Sequence, residues 1–190
     1  MTKTPFIDLQ SLLHAEMVFQ EQNEGEEVFH QQELIELQPY GVSLVPDAQR
    51  PFLIFRDATQ QYTLPVFLNP LEAGITLTQS NKSIAPTTPH SFALELLKSL
   101  QIRVLQCVFV QIKGPHQYVR VYMQGHPSLN SLKLRADEVM SFVLQAGVPV
   151  FATKGFINKS KLLNAQIEGL KAQDFAGRHQ LVRKNQIFIQ

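Results

Sequence analysis

From Glu33 onward the chain consists of short apolar runs, and each run ends at a turn signal or a helix-start signal. The runs do not alternate strictly between strand and helix patterns, as a doubly wound parallel sheet requires. Helix patterns also interrupt them too often for a β-sandwich or a barrel. The sequence therefore predicts an α+β fold in which mixed or antiparallel β-sheets pack against helices.

The predicted strands are rich in β-branched and aromatic residues and are bounded by turn-forming residues. They cover residues 34–45, with a break at Pro39 and Gly41, and residues 52–55, 62–68, 102–112, 117–123, 129–134, 148–151 and 186–189. Polar turns separate several consecutive strands, most clearly the Gly-Pro pair within Lys113–His116. Such turns favour antiparallel hairpins.

The predicted helices show apolar residues at helical spacing after a capping signal. They cover residues 6–20, 70–77, 90–100, 136–146 and 161–171. Asn69 and Pro70 mark the start of the second helix. Ser91 can cap the third helix, and Gly147 lies just past the end of the fourth.

Charge is unevenly distributed along a chain whose formal net charge is only +1. Residues 1–50 contain nine acidic and two basic residues, whereas the remaining 140 contain seven acidic and fifteen basic ones. This separation fits a basic binding surface, an acidic segment that covers such a surface, or solvated faces that differ in charge. The near-zero total argues against a histone-like protein that coats nucleic acid wholesale, and it leaves a local basic patch open.

The changes in charge and in the pattern of apolar residues along the chain predict three parts. Residues 1–33 form an acidic helical extension, residues 34–158 an α+β domain, and residues 159–190 a basic extension with a helix and a strand. The basic residues of the last part offer a second route to nucleic acid or form a solvated face, since no aromatic residues are interleaved to stack on bases.

The single cysteine, Cys107, lies in the apolar run Ile102–Ile112 and cannot form an internal disulfide. A buried structural thiol is favoured there over a nucleophile. Residues 1–8 lack the apolar core of a signal peptide, and no apolar run approaches the ~20 residues that span a bilayer. These features predict a cytoplasmic protein with no membrane association.

Three segments, in this order and spacing, resemble the bifunctional nuclease (BFN) domain family, a bacterial and plant group of small α+β domains. Residues 64–73 (LPVFLNPLEA) are similar to its strand-to-helix segment with a Leu-Pro-Ile and a Glu-Ala pair. Residues 86–97 (PTTPHSFALELL) are similar to its Arg-Pro-x-Thr-His-Asp-Leu-Leu helix opening. Residues 135–140 (RADEVM) and 147–151 (GVPVF) resemble its Asp-Ser-Arg-Pro-Ser-Asp-Ala-Ile helix start and Pro-Ile-Phe-Val strand. The resemblance covers residues 34–157 and implies a divergent bacterial member.

Several polar positions of the family pattern are replaced in this chain. Lys133 stands where the family has a carboxylate before the arginine, Ala136 replaces the following proline, and Glu138 replaces the later aspartate. Ala85 replaces the arginine of the second segment, and Ser91 replaces the aspartate after its histidine. These replacements put catalytic activity in question more than the fold.

The residues that still match the family pattern carry the chemistry that the resemblance implies. The resemblance implies catalytic roles for Glu72, His90 and Glu138, with His90 as the base or acid. It implies that Arg135, with Lys133 near it, binds phosphate oxygens.

Carboxylates of Glu72, Asp137 and Glu138 are the implied ligands of Mg²⁺ or another divalent cation, and no organic cofactor is implied. Structural roles explain the same residues. The three acids lie in first turns of helices, where the helix dipole favours them, and Arg135 can pair with Glu138 three residues on.

Two functions follow from these observations. The chain is a metal-dependent nuclease that acts on RNA or DNA, or it is a non-catalytic, homo-oligomeric binding or scaffold protein of the same fold with a degenerate site. The sequence lacks a phosphate-binding Gly-Lys-Ser/Thr loop, a Gly-x-Gly-x-x-Gly motif and a Gly-x-Ser-x-Gly elbow. Their absence argues against an NTPase, a dinucleotide enzyme and a serine hydrolase.

Overall fold

The structure is a computed structural model, and it describes residues 26, 33–44, 51–80, 88–162 and 185–188. The strands are β1 (Leu34–Leu44), β2 (Phe52–Arg56), β3 (Thr63–Phe67), β4 (Arg103–Lys113), β5 (His116–Gln124), β6 (Ser131–Arg135), β7 (Val150–Thr153) and β8 (Asn185–Phe188). The helices are α1 (Pro70–Ser80), α2 (Pro89–Ser99), α3 (Ala136–Ala146) and α4, which covers residues 154–162. The predicted α+β class is confirmed.

One mixed sheet organises the described part of the chain. Its strand order is β3-β2-β1-β7-β4-β5-β6, and β8 pairs with β1 outside this path. All neighbours are antiparallel except β4 and β7, which are parallel. The chain can place β7 parallel to β4 because the intervening hairpin and α3 provide the long connection that parallel strands need.

The first strand differs from its prediction. The sequence predicts two strands separated by a break over residues 34–45, but β1 is continuous, with a register shift between Pro39 and Gly41. Its first residues pair with β7, and its later residues pair with β2 and β8. Proline lacks an N–H for the ladder, so a bulge accommodates it without ending the strand.

The predicted hairpins β2–β3 and β4–β5 are confirmed. In the first hairpin, Asp57 organises the turn, because its carboxylate accepts the amide N–H groups of Thr59 at 3.0 Å and Tyr62 at 2.6 Å. Burial acts to raise the pKa of Asp57, but hydrogen bonds from Thr59 and Tyr62 outweigh it and hold the pKa below its usual value. In the second hairpin, Gly114 takes the positive φ of 56° that the tight turn needs.

The main core lies between one face of the sheet and helices α1, α3 and α4. Its fully buried side chains include Phe55, Leu64, Phe109, Met140 and Phe156. A smaller apolar cluster lies on the opposite face around Val108, Val110 and Tyr122. Helix α2 contributes no buried residue to either cluster.

The helix ends follow the predicted caps, with one correction. Asn69 caps α1, since its Oδ1 accepts the amide of Glu72 at 2.8 Å, and Gly147 ends α3 at a positive φ of 64°. Helix α2, however, is capped by Thr88 and not by Ser91. The helix starts one residue earlier than predicted, at Pro89, and this places Ser91 third in the helix, where it completes a capping box with Thr88.

Part of the predicted organisation falls outside the described residues. This applies to the helix at 6–20, to the acidic loop at 21–27 apart from Glu26, and to residues 163–171 of the last predicted helix. Residue 158, the predicted end of the domain, lies within α4, and β8 from the predicted C-terminal extension pairs with β1. The division into three parts remains a prediction.

Among the described residues, no helix combines the length and apolar character needed to cross a bilayer.

Cys107 on β4 is completely buried, as predicted. Burial raises the pKa of its thiol well above the usual value, so little of the reactive thiolate exists at neutral pH.

We expect a thiol-reactive dye to label Cys107 in the native protein on the order of 100-fold more slowly than an exposed cysteine introduced by Ser99→Cys. Labelling in denaturant should make the two rates equal. Rapid labelling of Cys107 in the native state would contradict this burial.

Candidate functional site

Side chains from three helices meet in a polar cluster beside the main core. His90 on α2 has its Nε2 3.4 Å from Glu72 Oε1 on α1 and 2.7 Å from Ser141 Oγ on α3. Ser141 also donates to Glu72 Oε2. We call Glu72, His90 and Ser141 the helix cluster.

The members of the helix cluster differ in access to solvent. Ser141 is fully buried. The Glu72 side chain is 7% exposed, whereas the His90 side chain is 16% exposed and its ring packs edge-on against Phe142 at 6.0 Å. His90 is therefore the member that a ligand in solution can reach most easily.

Two helix caps place Glu72 and His90. The Asn69 side chain accepts the amide of Glu72 and donates to the Asp137 carbonyl oxygen at 3.0 Å, so it joins the start of α1 to the start of α3. Thr88 caps α2 two residues before His90. The Asn69 cap is the one that the sequence predicts, whereas Thr88 takes the place of the predicted cap Ser91. Together the two caps explain why Glu72 and His90 both fall in first turns.

Further polar contacts hold α2 against the other helices. The Gln145 side chain on α3 accepts from Thr88 Oγ1 at 2.8 Å and from Gln79 Nε2 at 2.7 Å. It donates to Ser91 Oγ at 2.5 Å. Since α2 buries no residue of its own, these hydrogen bonds and the helix cluster account for much of its attachment.

A second cluster lies where β6 turns into α3. Arg135 donates through Nε and Nη2 to the two oxygens of Asp137, at 3.0 and 2.5 Å. Its Nη1 is 3.3 Å from the half-exposed carboxylate of Glu138, and His116 Nδ1 is 3.7 Å from Asp137 Oδ2. Hydrogen bonding to Asp137, followed by the nearby acidic charges, raises the pKa of Arg135, so the guanidinium remains charged.

Lys133 lies in a different environment from Arg135. Its Nζ is 2.8 Å from Glu26 Oε1 and 5.8 Å from the centre of the Tyr118 ring. Thus the two residues predicted to bind phosphate both contact carboxylates of the same chain.

The structure brings some predicted site residues together and leaves others apart. Glu72 and His90 meet, and Arg135 meets Asp137 and Glu138. In the described part of the chain, the contacts of Glu138 go to Arg135 and none joins it to Glu72 or His90. The two clusters are nevertheless close along α3, because Asp137 and Ser141 are one turn apart.

The three predicted metal ligands do not form one group in this arrangement. Glu72 contacts His90 and Ser141, while Asp137 and Glu138 contact Arg135. Within the described ranges, no set of three or more His, Cys, Asp or Glu side chains is arranged to hold a metal ion. These positions as they stand do not fit a shared cation.

Sequence reasoning missed Ser141, His116 and Gln145. Ser141 had a weak signal, since it lies four residues after Asp137 on the apolar face of an amphipathic helix. The sequence places His116 in a turn and Gln145 in a helix, and it shows no partner for either side chain. Their roles depend on contacts between elements that are far apart in the sequence.

A cavity of about 470 Å³ lies between α2 and the start of β4 and contains none of the predicted site residues. Leu94, Leu97, Ile102 and Val104 line it together with Lys98 and Arg103. The polar chemistry is therefore concentrated outside this cavity, at the helix cluster and at the start of α3.

A comparison with protein-family models finds none that matches this chain, and a search of the curated proteins finds no match either.

Proposed function

We propose that this protein is a nuclease of the bifunctional nuclease type that cleaves phosphodiester bonds in RNA or DNA. The observation that carries the proposal is the contact between His90 and Glu72 at 3.4 Å. The two residues come from different helices and from two of the segments that resemble the family. A buried acid beside a partly exposed histidine is an arrangement suited to proton transfer.

His90 is the proton-transfer residue in this proposal. It takes the proton from the attacking water or hydroxyl as the new P–O bond forms. The P–O bond to the leaving oxygen breaks, and that oxygen keeps the bonding electrons and takes up a proton from solvent, to which the imidazolium later returns its own. The Glu72 carboxylate stabilises the positive charge that the imidazole then carries. Ser141 is completely buried, so it serves to position Glu72 and His90 and does not act as a nucleophile.

Arg135 is the proposed phosphate contact. Its side chain is 35% exposed, and the guanidinium nitrogen that faces Glu138 lies toward the more solvated side, since the Glu138 side chain is 55% exposed. A phosphate oxygen can replace the Glu138 carboxylate at Nη1 of Arg135, while Asp137 keeps its hydrogen bonds to Nε and Nη2 of the same guanidinium. Asp137 thereby acts as the residue that orients Arg135.

A requirement for Mg²⁺ or a similar cation belongs to the proposal only as an implication of the resemblance. Among the described residues, no three or more His, Cys, Asp or Glu side chains are arranged to bind such a cation. No step of the proposed reaction depends on the cation. The assay therefore measures cation dependence directly. A cytoplasmic location also belongs to this proposal.

The test is cleavage of end-labelled single- and double-stranded RNA and DNA, each with Mg²⁺, with Mn²⁺ and with EDTA. We expect wild-type cleavage and a loss of about 100-fold or more in rate for His90→Ala, as removal of a general base typically causes. Glu72→Gln should lower the rate by a smaller factor, because the amide keeps a hydrogen-bond partner for Ser141. Thermal unfolding of each variant confirms that it remains folded.

The matched control is His126→Asn, which removes an exposed histidine while keeping an acceptor for the loop amides of Ser128 and Leu129. It should cleave at the wild-type rate. Activity that survives in folded His90→Ala would overturn the proposed site.

The second candidate is a non-catalytic binding or scaffold protein that self-associates. It is favoured by the mutual pairing of the site residues, since Glu72, His90, Arg135 and Asp137 all have partners within the chain. β6 lies at one end of the sheet order and exposes Leu132, which suits strand pairing with a second copy. Folded wild-type protein that cleaves none of the substrates under any of the conditions would support this candidate.

A further inference from the structure

The cavity between α2 and the start of β4 combines an apolar lining with basic side chains. Its volume of about 470 Å³ falls within the range of about 300–1,000 Å³ that small-molecule sites occupy. Its apolar side chains come from α2, α3, β4 and the connection before β4, and they are Leu94, Leu97, Ala146, Val104 and Ile102. Its polar side chains are Lys98, Gln101 and Arg103. Such a lining suits a ligand with an apolar body and one polar end.

The charge on the cavity wall is positive. Two cations line it and no carboxylate does. Lys98 Nζ is 3.7 Å from Glu95 Oε2, but the two side chains are 78% and 73% exposed, so this pair stabilises little. Arg103 is exposed as well, and none of the ion pairs in the described part of the chain involves it. The polar end of a matching ligand is therefore an anion.

The backbone between α2 and β4 holds the polar side of the cavity in place. The amide of Gln101 donates to the carbonyl oxygen of Lys98 at 3.0 Å, and the amide of Ile102 donates to that of Leu97 at 2.8 Å. Gln101 has a φ of 59°, in the left-handed region that residues with a side chain enter at a cost. These bonds fix the short connection that joins Lys98 to Arg103, so less order has to be created when a ligand binds.

The absence of aromatic rings from the lining narrows the class of ligand. The apolar side chains of the cavity are aliphatic, from leucine, isoleucine, valine and alanine. Proteins hold the bases of nucleic acids by stacking them on aromatic side chains. The lining therefore fits a flexible hydrocarbon chain better than a base.

We propose that this cavity binds a small amphipathic carboxylate, an anion with a hydrocarbon chain. The chain lies among Leu94, Leu97 and Val104, where it leaves water. The carboxylate lies between Arg103 and Lys98, because a guanidinium can donate two parallel hydrogen bonds to its oxygens and an ammonium group adds a second charge.

Calorimetric titration of the full chain with butanoate, hexanoate, octanoate and decanoate tests the apolar part of this site. We expect the affinity to rise about 4-fold with each added CH₂ group, the value for complete transfer of that group out of water. Octanol has the same chain as octanoate without the charge. It should bind about 10-fold more weakly, since a hydrogen bond to a charged group is the stronger kind.

Arg103→Gln tests the charged part of the site. It should weaken octanoate binding about 10-fold and leave octanol binding unchanged, because only the carboxylate needs the guanidinium. The matched control is Lys113→Gln, which removes one positive charge from an exposed position at the other end of β4. It should bind both ligands as wild type does. Both positions are exposed, so the variants should remain folded, and thermal unfolding checks this.

Ala146→Leu tests the position of the hydrocarbon chain. The larger side chain enters the space that the ligand chain needs, so octanoate and octanol should both bind more weakly. Octanoate binding that is undiminished in folded Arg103→Gln would overturn the proposal, as would a wild-type protein that binds none of the four carboxylates at millimolar concentration. None of Glu72, His90 and Ser141 lines the cavity, so a failed nuclease assay would leave this site intact.

Discussion

Replacing Phe109 by alanine is expected to lower the free energy of unfolding by about 3–5 kcal/mol. Phe109 is completely buried on β4. The centre of its ring lies 6.2 Å from that of Phe55 on β2 and 5.2 Å from that of Phe156 on α4. Its loss removes apolar contacts and leaves a cavity that surrounding backbone elements cannot close. Urea unfolding at fixed pH, analysed for midpoint and slope, measures the effect.

Phe92 provides the matched control for this substitution. It is 68% exposed on α2, so Phe92→Ala should change the unfolding free energy by no more than about 0.5 kcal/mol. Similar costs for the two phenylalanines would mean that the contacts among Phe55, Phe109 and Phe156 do not form the centre of the core.

Gly125→Ala is the second substitution with a large expected effect, at about 3 kcal/mol of unfolding free energy. Gly125 follows β5 and has a φ of 108°, which residues with a side chain rarely adopt. A Cβ atom there would lie 2.2 Å from the carbonyl oxygen of Gln101 and 3.2 Å from the Cα of Ile102. Because these are backbone atoms, the loop after β5 and the connection before β4 would have to move apart.

Gly114→Ala distinguishes collision from backbone strain. Gly114 also has a positive φ, of 56°, but no atom lies within 4 Å of the position where its Cβ would be. We expect a cost of only about 1 kcal/mol, the strain of a left-handed conformation without a clash. The two variants are compared by thermal and urea unfolding. Equal losses of unfolding free energy in the two variants would show that the Gln101 carbonyl moves away from the new Cβ atom at little energetic cost.

Much of the secondary structure could be predicted because its signals are local. The bounds of α3 at 136–146 follow from acids in the first turn, an apolar face and Gly147 after the end. The hairpin of β4 and β5 follows from two apolar runs around a Gly-Pro turn. In both cases the residues that determine the structure lie within the element or directly beside it.

Features that depend on distant partners could not be predicted. The pairing of β1 with β7, β2 and β8 depends on residues from three separate regions, so Pro39 and Gly41 read as a break and not as a bulge. The same limit applies to Glu26 and Arg120, whose contact spans much of the chain.

The candidate site was predictable in part for the same reason. Glu72, His90 and Arg135 were selected as single residues, and the structure places Glu72 beside His90. Ser141, which contacts both Glu72 and His90, is a serine among apolar residues in a helix. The sequence alone cannot show that the first turns of two other helices lie beside it. The separation of Glu138 from Glu72 likewise depends on how α1 packs on α3.

Helix α2 carries His90 but anchors no side chain in either apolar cluster. Its attachment is made of hydrogen bonds and partly buried contacts, so its local opening costs less free energy than opening of the sheet. Each such opening separates His90 from Glu72 while the core stays folded. The proportion of molecules with an assembled helix cluster is then set by the docking equilibrium of α2, and a ligand that bridges α2 and α3 would raise that proportion through its own binding free energy.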